Sequence, residues 1–407
     1  MTRILVLTNQ YPPHHLGGYE LSCRDVVDRW KRAGIDVQVL TGDWRRAGVG
    51  DPDEPHVHRR LTFFLGDDGL WSPPLRHRLG VERANERALS EELAWGPDVV
   101  SVWHMGALPT GLLRVLEGSG LPVVFVVCDD WPTYATAIDP WMRMWSGHPV
   151  LARLAGPLLG AATTLPDLDR MGEFCFVSET TRRRCRAHST LRFPRSTVTY
   201  SGIDHEDFPV RGLEGARSEW KGRLLVVGRL DPRKGFETAI RAAALLPGTT
   251  LDVVCSGGGP YREALDRLVV ELGIADRVRF RTAARHELAG VYGSADVLLF
   301  TPEWDEPFGL VPIESMACAT PVVATAAGGS AEFLEDGRNC LTVPPGDPAA
   351  VAAAVQRLAS DPGLRSTLVA GGTGTASRYS VDRLADVLTE SHLRAVGDRP
   401  VPSGADG

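Results

Sequence analysis

The sequence predicts an α/β protein made of two doubly wound parallel-sheet domains. Short apolar runs alternate with helical segments in both halves, the pattern of parallel strands joined by right-handed crossovers. The 407 residues exceed one ordinary domain. The alternation breaks over 201–221 and then restarts, which marks an interdomain linker. With 43% hydrophobic and 23% charged residues, the chain has enough apolar material for real cores. The expected division is 1–205, 206–378, a last helix over 379–396 that crosses back to the first domain, and a disordered tail over 397–407.

In the first half, Ile4-Leu5-Val6-Leu7-Thr8 reads as a buried parallel strand. A loop of turn formers follows, ending in Gly17 and Gly18, and the spacing predicts a helix over 19–33. Gly34 stands where a helix C-terminal glycine belongs. A second strand is expected over 35–40. The resulting βαβ unit lacks the G-x-G-x-x-G spacing, so a nicotinamide-binding reading is weak. Its two glycines either make a tight turn or let the backbone approach a ligand. Helices are expected over 81–95 and 109–117, with strands over 97–103 and 121–127. Ligands of such sheets sit beyond the C-terminal strand ends, where His104 and Cys128-Asp129-Asp130-Trp131 fall. His104 reads as structural or functional, and Asp129 and Asp130 as a solvated turn, a cap or a hydroxyl-binding pair.

The stretch 134–165 has no clear period and concentrates Trp141, Met142, Met144 and Trp145, either an acceptor lid or core. Arg182, Arg183, Arg184 and Arg186 follow Ser178, a plausible helix N-cap. That basic helix is a solvated face or a weak peripheral contact with anionic lipid.

In the second half, strands are expected at 224–227, 250–255, 278–281, 295–300 and 321–325. Arg229 and Lys234 lie five positions apart on the loop after the first of these. They can neutralise a diphosphate, the arginine as a planar fork and the lysine as a point charge. Further on, Glu306 and Glu314 stand either side of seven uncharged residues. Glu306 precedes a proline and is expected on a loop. Pro312 suits the first helical position, which puts Glu314 in an opening turn. Phe308, Gly309 and Leu310 then offer backbone N–H groups without helical acceptors, an anion site by charge and geometry. The flanking carboxylates can accept bonds from sugar hydroxyls.

The run from Glu306 through Pro307-Phe308-Gly309 to Glu314, followed by Pro321-Val322-Val323-Ala324-Thr325, Gly328-Gly329 and Glu332, resembles the retaining nucleotide-sugar glycosyltransferases of family four. That resemblance implies the GT-B fold, two Rossmann-like domains facing across a cleft. It implies a nucleotide-diphosphate sugar as donor, with no tightly bound cofactor and no metal site. Gly17, Gly18, Arg229, Lys234 and the amides of Phe308 to Leu310 would meet the diphosphate. Glu314 would take the ribose, and Glu306 would orient the transferred sugar. The family often has a His-Asp pair after the strand over 121–127. Here Cys128 holds the place of the histidine and Asp129 that of the aspartate. Asp129 is therefore carried over as catalytic, while His104, Cys128, Asp130 and Trp131 are left as acceptor-side candidates. The implied reaction is sugar transfer to an acceptor hydroxyl with retention, the acceptor being a small molecule, a lipid-linked sugar or a glycan. Alternatives are a same-fold epimerase or phosphorylase, or a non-catalytic sugar-nucleotide-binding subunit.

The formal charge of -7 argues against general nucleic-acid binding. Seven dispersed cysteines without CxxC spacing read as reduced thiols. The sequence shows no secretory leader and no apolar run near the ~20 residues of a membrane span. A cytoplasmic protein is expected.

Overall fold

The computed structural model describes residues 2–66, 69–70, 73–212, 214 and 219–397. The chain packs as two compact units. Of the described residues, one holds those up to Thr199 together with those from Ala385 to Gly397, and the other holds those between Tyr200 and Leu384. Each is built on one large sheet.

The first unit contains β1 (Arg3–Thr8), β2 (Asp36–Gly42), β3 (Val57–Leu61), β4 (Val99–His104), β5 (Val123–Val127), β6 (Gly172–Phe176) and β7 (Ser196–Val198). Their order is β3-β2-β1-β4-β5-β6-β7, and every pairing is parallel. Central strands read as continuous apolar runs because both faces are covered, and all of β5 is buried. Helix Gly18–Arg32 buries Cys23, Val26, Val27 and Trp30, with Glu20 in its first turn and Arg29, Lys31 and Arg32 in its last. Those charges complement the helix dipole at both ends. The final helix, Val381–Gly397, places His392 edge-on to Trp30 at 5.0 Å. The Trp30 indole donates to Thr389 Oγ1 at 2.9 Å. Burial pushes the His392 imidazole down to about 4.

The second unit contains β8 (Arg223–Arg229), β9 (Thr250–Ser256), β10 (Val278–Arg281), β11 (Val297–Phe300), β12 (Val322–Ala324) and β13 (Leu341–Thr342). Their order is β10-β9-β8-β11-β12-β13, again parallel. In both sheets the order runs outward from the first strand, returns to its other side and continues. Ligands of such sheets bind beyond the carboxyl ends of the two strands at this reversal. Those strands are β1 and β4 in one unit, and β8 and β11 in the other. The doubly wound parallel class expected from the alternation is the class observed.

Several elements differ from expectation. β3, β6, β7 and β13 are absent from the sequence reading. β3 and β13 are sheet edges, and β3, Val-His-Arg-Arg-Leu, carries the charge that edges tolerate. The stretch read as aperiodic contains helices Trp131–Ile138, Met142–Trp145 and Pro149–Leu159. Trp141 and Met142 are core rather than lid, and the Trp141 indole donates to the Ala162 carbonyl at 2.6 Å. Of the expected tail, Gly397 closes the last helix, and 398–407 lie outside the described residues, as do 213 and 215–218 of the expected linker.

Candidate functional site

In the second unit, the functional loops leave the two strands at the reversal. β8 ends at Arg229, followed by a 3-10 turn over Pro232–Lys234. Asp231 caps that turn, accepting from the Arg233 amide at 3.0 Å. The Asp231 carboxylate also accepts from the Arg233 guanidinium and lies 3.5 Å from Arg229 Nη2. The Arg233 bonds, with the nearby charges, hold Asp231 down to about 2. Arg229 is 43% exposed at its side chain, open to an anionic ligand.

The loop after β11 is stitched to this turn. Glu303 donates its amide to the Arg233 carbonyl at 2.8 Å, and Thr301 Oγ1 donates to the Gly235 carbonyl at 2.9 Å. Lys234 Nζ then donates to Glu306 Oε1 and Oε2 at 2.8 and 2.7 Å. Trp304 completes the cluster. Its Nε1 donates to Glu306 Oε2 at 3.0 Å, while Arg233 and Lys234 lie over its ring at 4.3 and 5.4 Å. Glu306 is only 8% exposed. The expected loop position of Glu306 holds, and Lys234 is its direct partner.

Two glycines make this approach possible. Gly235 has φ 69°, and a Cβ there would fall 1.7 Å from the Thr301 carbonyl oxygen. Gly328 has φ 68°, and its Cβ would fall 2.5 Å from the Glu306 amide nitrogen and carbonyl oxygen. Gly235→Ala is expected to cost about 1–3 kcal/mol in backbone strain alone. It should also separate Lys234 from Glu306, and denaturant unfolding of the parent and the variant checks the cost.

Helix Leu310–Ala317 starts two residues earlier than expected, with Gly309 as N-cap at φ 92°. Pro312 is its third residue and Glu314 its fifth. Glu314 therefore sits in the second turn rather than the first, because proline is tolerated anywhere in a first turn, where its missing N–H has no acceptor to lose. The amides without helical acceptors are those of Gly309, Leu310 and Val311. Phe308 precedes the cap, its ring buried at 3% exposure beside Tyr200, Phe333 and Tyr379. Glu314 Oε2 accepts from the buried Tyr292 hydroxyl at 2.6 Å. Burial, reinforced by Glu314, keeps that phenol protonated far above its ordinary range.

In the first unit, His104 closes β4, and Asp129 follows β5. His104 Nε2 lies 3.1 Å from Asp129 Oδ2, and the Tyr134 hydroxyl donates to that same oxygen at 2.6 Å. Asp129 Oδ1 accepts the Trp131 amide at 3.0 Å. Tyr19 stacks on the imidazole at 4.5 Å between ring centroids. Burial alone would push His104 down, but the Asp129 charge and hydrogen bond outweigh it and the net shift is upward. Burial would likewise raise Asp129. His104, Tyr134 and the Trp131 amide instead hold it below its usual range. Burial pushes the Cys128 thiol up, so it is no thiolate nucleophile.

Other candidates have structural partners. Asp130 Oδ2 accepts from Arg184 Nη2 at 2.8 Å. Trp131, expected on the acceptor side, is a core residue at 1% exposure packed toward Phe125. Its ring turns inward because the helix begun by Asp129 and Asp130 lays it on the sheet. The Glu20 carboxylate accepts the amides of Leu16 and Gly17 at 3.2 and 3.0 Å, and Gly17 keeps an extended backbone at φ -140°. Of the glycine pair, Gly18 heads the helix. The sequence reading missed Tyr134, and it passed over Trp304 inside the motif.

Two doubly wound parallel-sheet units are the architecture of the GT-B class. The family model described as Glycosyltransferase Family 4 matches residues 16–207, and that described as Glycosyl transferases group 1 matches 215–373. The chain belongs to this glycosyltransferase family. It is 41% identical over 222 residues to a D-inositol 3-phosphate glycosyltransferase of Thermomonospora curvata, covering 48% of this chain and 51% of that one. It is 36% identical over 220 residues to the Mycobacteroides abscessus protein of the same name, covering 51% and 48%. The chain thus spans about half the length of these curated relatives. Among solved structures, sucrose-phosphate synthase from Thermosynechococcus elongatus superposes with a TM-score of 0.71 at 22% identity, covering 98% of this chain and 100% of that one. Anabaena HepE in complex with UDP-glucose gives 0.67 at 21% identity, covering 97% and 100%. These likenesses establish the GT-B fold. Among the described residues, no cluster of His, Cys, Asp and Glu is arranged to hold a metal ion, and no helix is long and apolar enough to cross a membrane.

Proposed function

We propose that the protein transfers a sugar from a nucleotide-diphosphate donor to an acceptor hydroxyl, retaining the anomeric configuration. The observation that carries this reading is the Lys234–Glu306 pair at the β8/β11 reversal, beside exposed Arg229 and ahead of the helix begun at Gly309. Two of the three Lys234 protons are spent on Glu306, leaving one for a phosphate oxygen. Arg229 and the Gly309 to Val311 amides supply further donors, preorganised for the charge that develops on a departing diphosphate. Glu306 then orients the transferred sugar and Glu314 the ribose. The bond from the anomeric carbon to the diphosphate breaks through an oxocarbenium-like state. The bond to the acceptor oxygen forms on the same face, and the acceptor proton passes to the leaving diphosphate.

Complexes of HepE with UDP and UDP-glucose make uridine-diphosphate sugars the first donors to try. The relatives' names make a polyol phosphate the first acceptor. In the first unit, Asp129 with His104 is read as a hydroxyl-binding pair. A cytoplasmic location is part of this reading.

Thermal shift against a panel of nucleotide sugars tests it, because a ligand at a hundredfold excess over Kd stabilises by about 2.7 kcal/mol. Arg229→Ala should weaken nucleoside-diphosphate binding by about 1.5–3 kcal/mol, the range for hydrogen bonds to charged groups. No stabilisation by any nucleotide sugar, or unaltered diphosphate affinity in that variant, would remove the assignment.

A further inference from the structure

Helix Pro149–Leu159 in the first unit shows solvent an apolar face. Val150, Leu151, Leu154 and Leu158 are 69, 59, 63 and 85% exposed. The spacing puts them along one side, with Ala152 buried on the other. Four large aliphatic side chains together on one short helix form a contiguous patch, which marks an interaction surface rather than scattered surface leucines. Helix Leu75–Leu93 lies beside its C-terminal end. Arg78 Nη1 donates to the Pro140 carbonyl at 2.8 Å and Arg83 Nε to the Leu159 carbonyl at 2.9 Å, and Leu75 at its start is 56% exposed.

Charge decides among occupants. No aspartate or glutamate occurs from 140 to 166, in a chain whose formal charge is -7. Exposed cations at this face are Arg153 on the helix itself, Arg143 on the helix before it and Arg83 at the Leu159 carbonyl, while the neighbouring acid, half-buried Glu86, accepts the Ala162 amide at 2.7 Å. A second copy would bring these cations against their own equivalents, and one short helix face falls below the roughly 800 Å² per partner of a stable interface. An apolar face rimmed by arginine matches an anionic bilayer instead, where leucines enter the acyl boundary and the guanidinium groups meet phosphate. The basic helix Glu179–His188, where the sequence alone put lipid contact, suits this less well. Its Arg182 pairs with Glu179 and its Arg184 with Asp130, and it has no large apolar residue.

We propose that helix Pro149–Leu159 docks the protein on an anionic membrane surface. Flotation of the full chain with vesicles of phosphatidylcholine, alone or mixed with phosphatidylglycerol, tests this. Binding should rise with phosphatidylglycerol and fall with salt. Leu154→Ser with Leu158→Ser should lower partitioning by about tenfold or more, the change that accompanies each 1.4 kcal/mol of lost insertion energy. Both positions are exposed, so nucleotide-dependent thermal stabilisation should be unchanged. Arg153→Glu should weaken binding to the mixed vesicles only. Failure to float with anionic vesicles, or equal flotation of the double variant, would overturn the proposal. So would a concentration-dependent dimer abolished by the same two substitutions, which would assign the face to a second copy.

Discussion

Lys234→Ala is expected to lower sugar-transfer turnover by about 10²–10³-fold, the cost of removing one preorganised donor from a site where negative charge develops. The lysine has two jobs. It supplies a cation at the β8/β11 reversal, and it fixes the Glu306 carboxylate by two hydrogen bonds. Glu306→Ala should lose turnover comparably while keeping most nucleoside-diphosphate affinity, because its role is toward the sugar. The double variant should fall far short of the product of the two effects, since the pair acts as one unit. Lys234→Ala also leaves Glu306 with Trp304 as its remaining side-chain donor, a structural cost of about 1–3 kcal/mol. Steady-state kinetics with isothermal titration of the diphosphate separates these terms. Multiplicative losses, or full turnover in either single variant, would detach the pair from catalysis.

Much of this site was legible because its parts are local. Glu306 before Pro307 had to be on a loop, and Arg229 and Lys234 had to follow a strand, so chain order alone put them at strand ends. What chain order does not contain is which loops meet. The Lys234–Glu306 bond spans 72 positions, and it depends on Gly235 and Gly328 allowing backbone approaches that any side chain would block. Trp304 stood inside the motif, but its role needs Arg233 and Lys234 laid over its ring. Tyr134 was invisible for a different reason. Its helix is short, opens with Trp131-Pro132 and leads into a Trp/Met-rich segment, so no period identified it. The exposed leucines of Pro149–Leu159 were read past for the same reason, since apolar residues facing water look like core in one dimension.

Asp129→Asn should destabilise the protein by about 3 kcal/mol, because it strips the charge from a partly buried pair and unbalances three donors. The missing family histidine at Cys128 gives this a functional side. An imidazole does reach Asp129, from His104 on the neighbouring strand. The pH dependence distinguishes its charge states. His104 is raised above its ordinary 6.5, so its contribution is fully present below 6.5 and is lost as pH rises through the raised value. Asp129 is depressed below 3.8, so its contribution is present above 3.8 and is lost as pH falls through the lowered value. The stability gap between the parent and Asp129→Asn should therefore be widest between 3.8 and 6.5 and narrow toward alkaline pH. One contact opposes protonation. The Gly106 amide donates to His104 Nδ1 at 3.1 Å, which requires that nitrogen bare and confines the proton to Nε2 facing Asp129. Denaturant unfolding of both proteins across that range decides it. A constant gap from 3.8 to alkaline pH would mean a neutral imidazole over that range, with Asp129 acting on it as a hydrogen-bond acceptor alone.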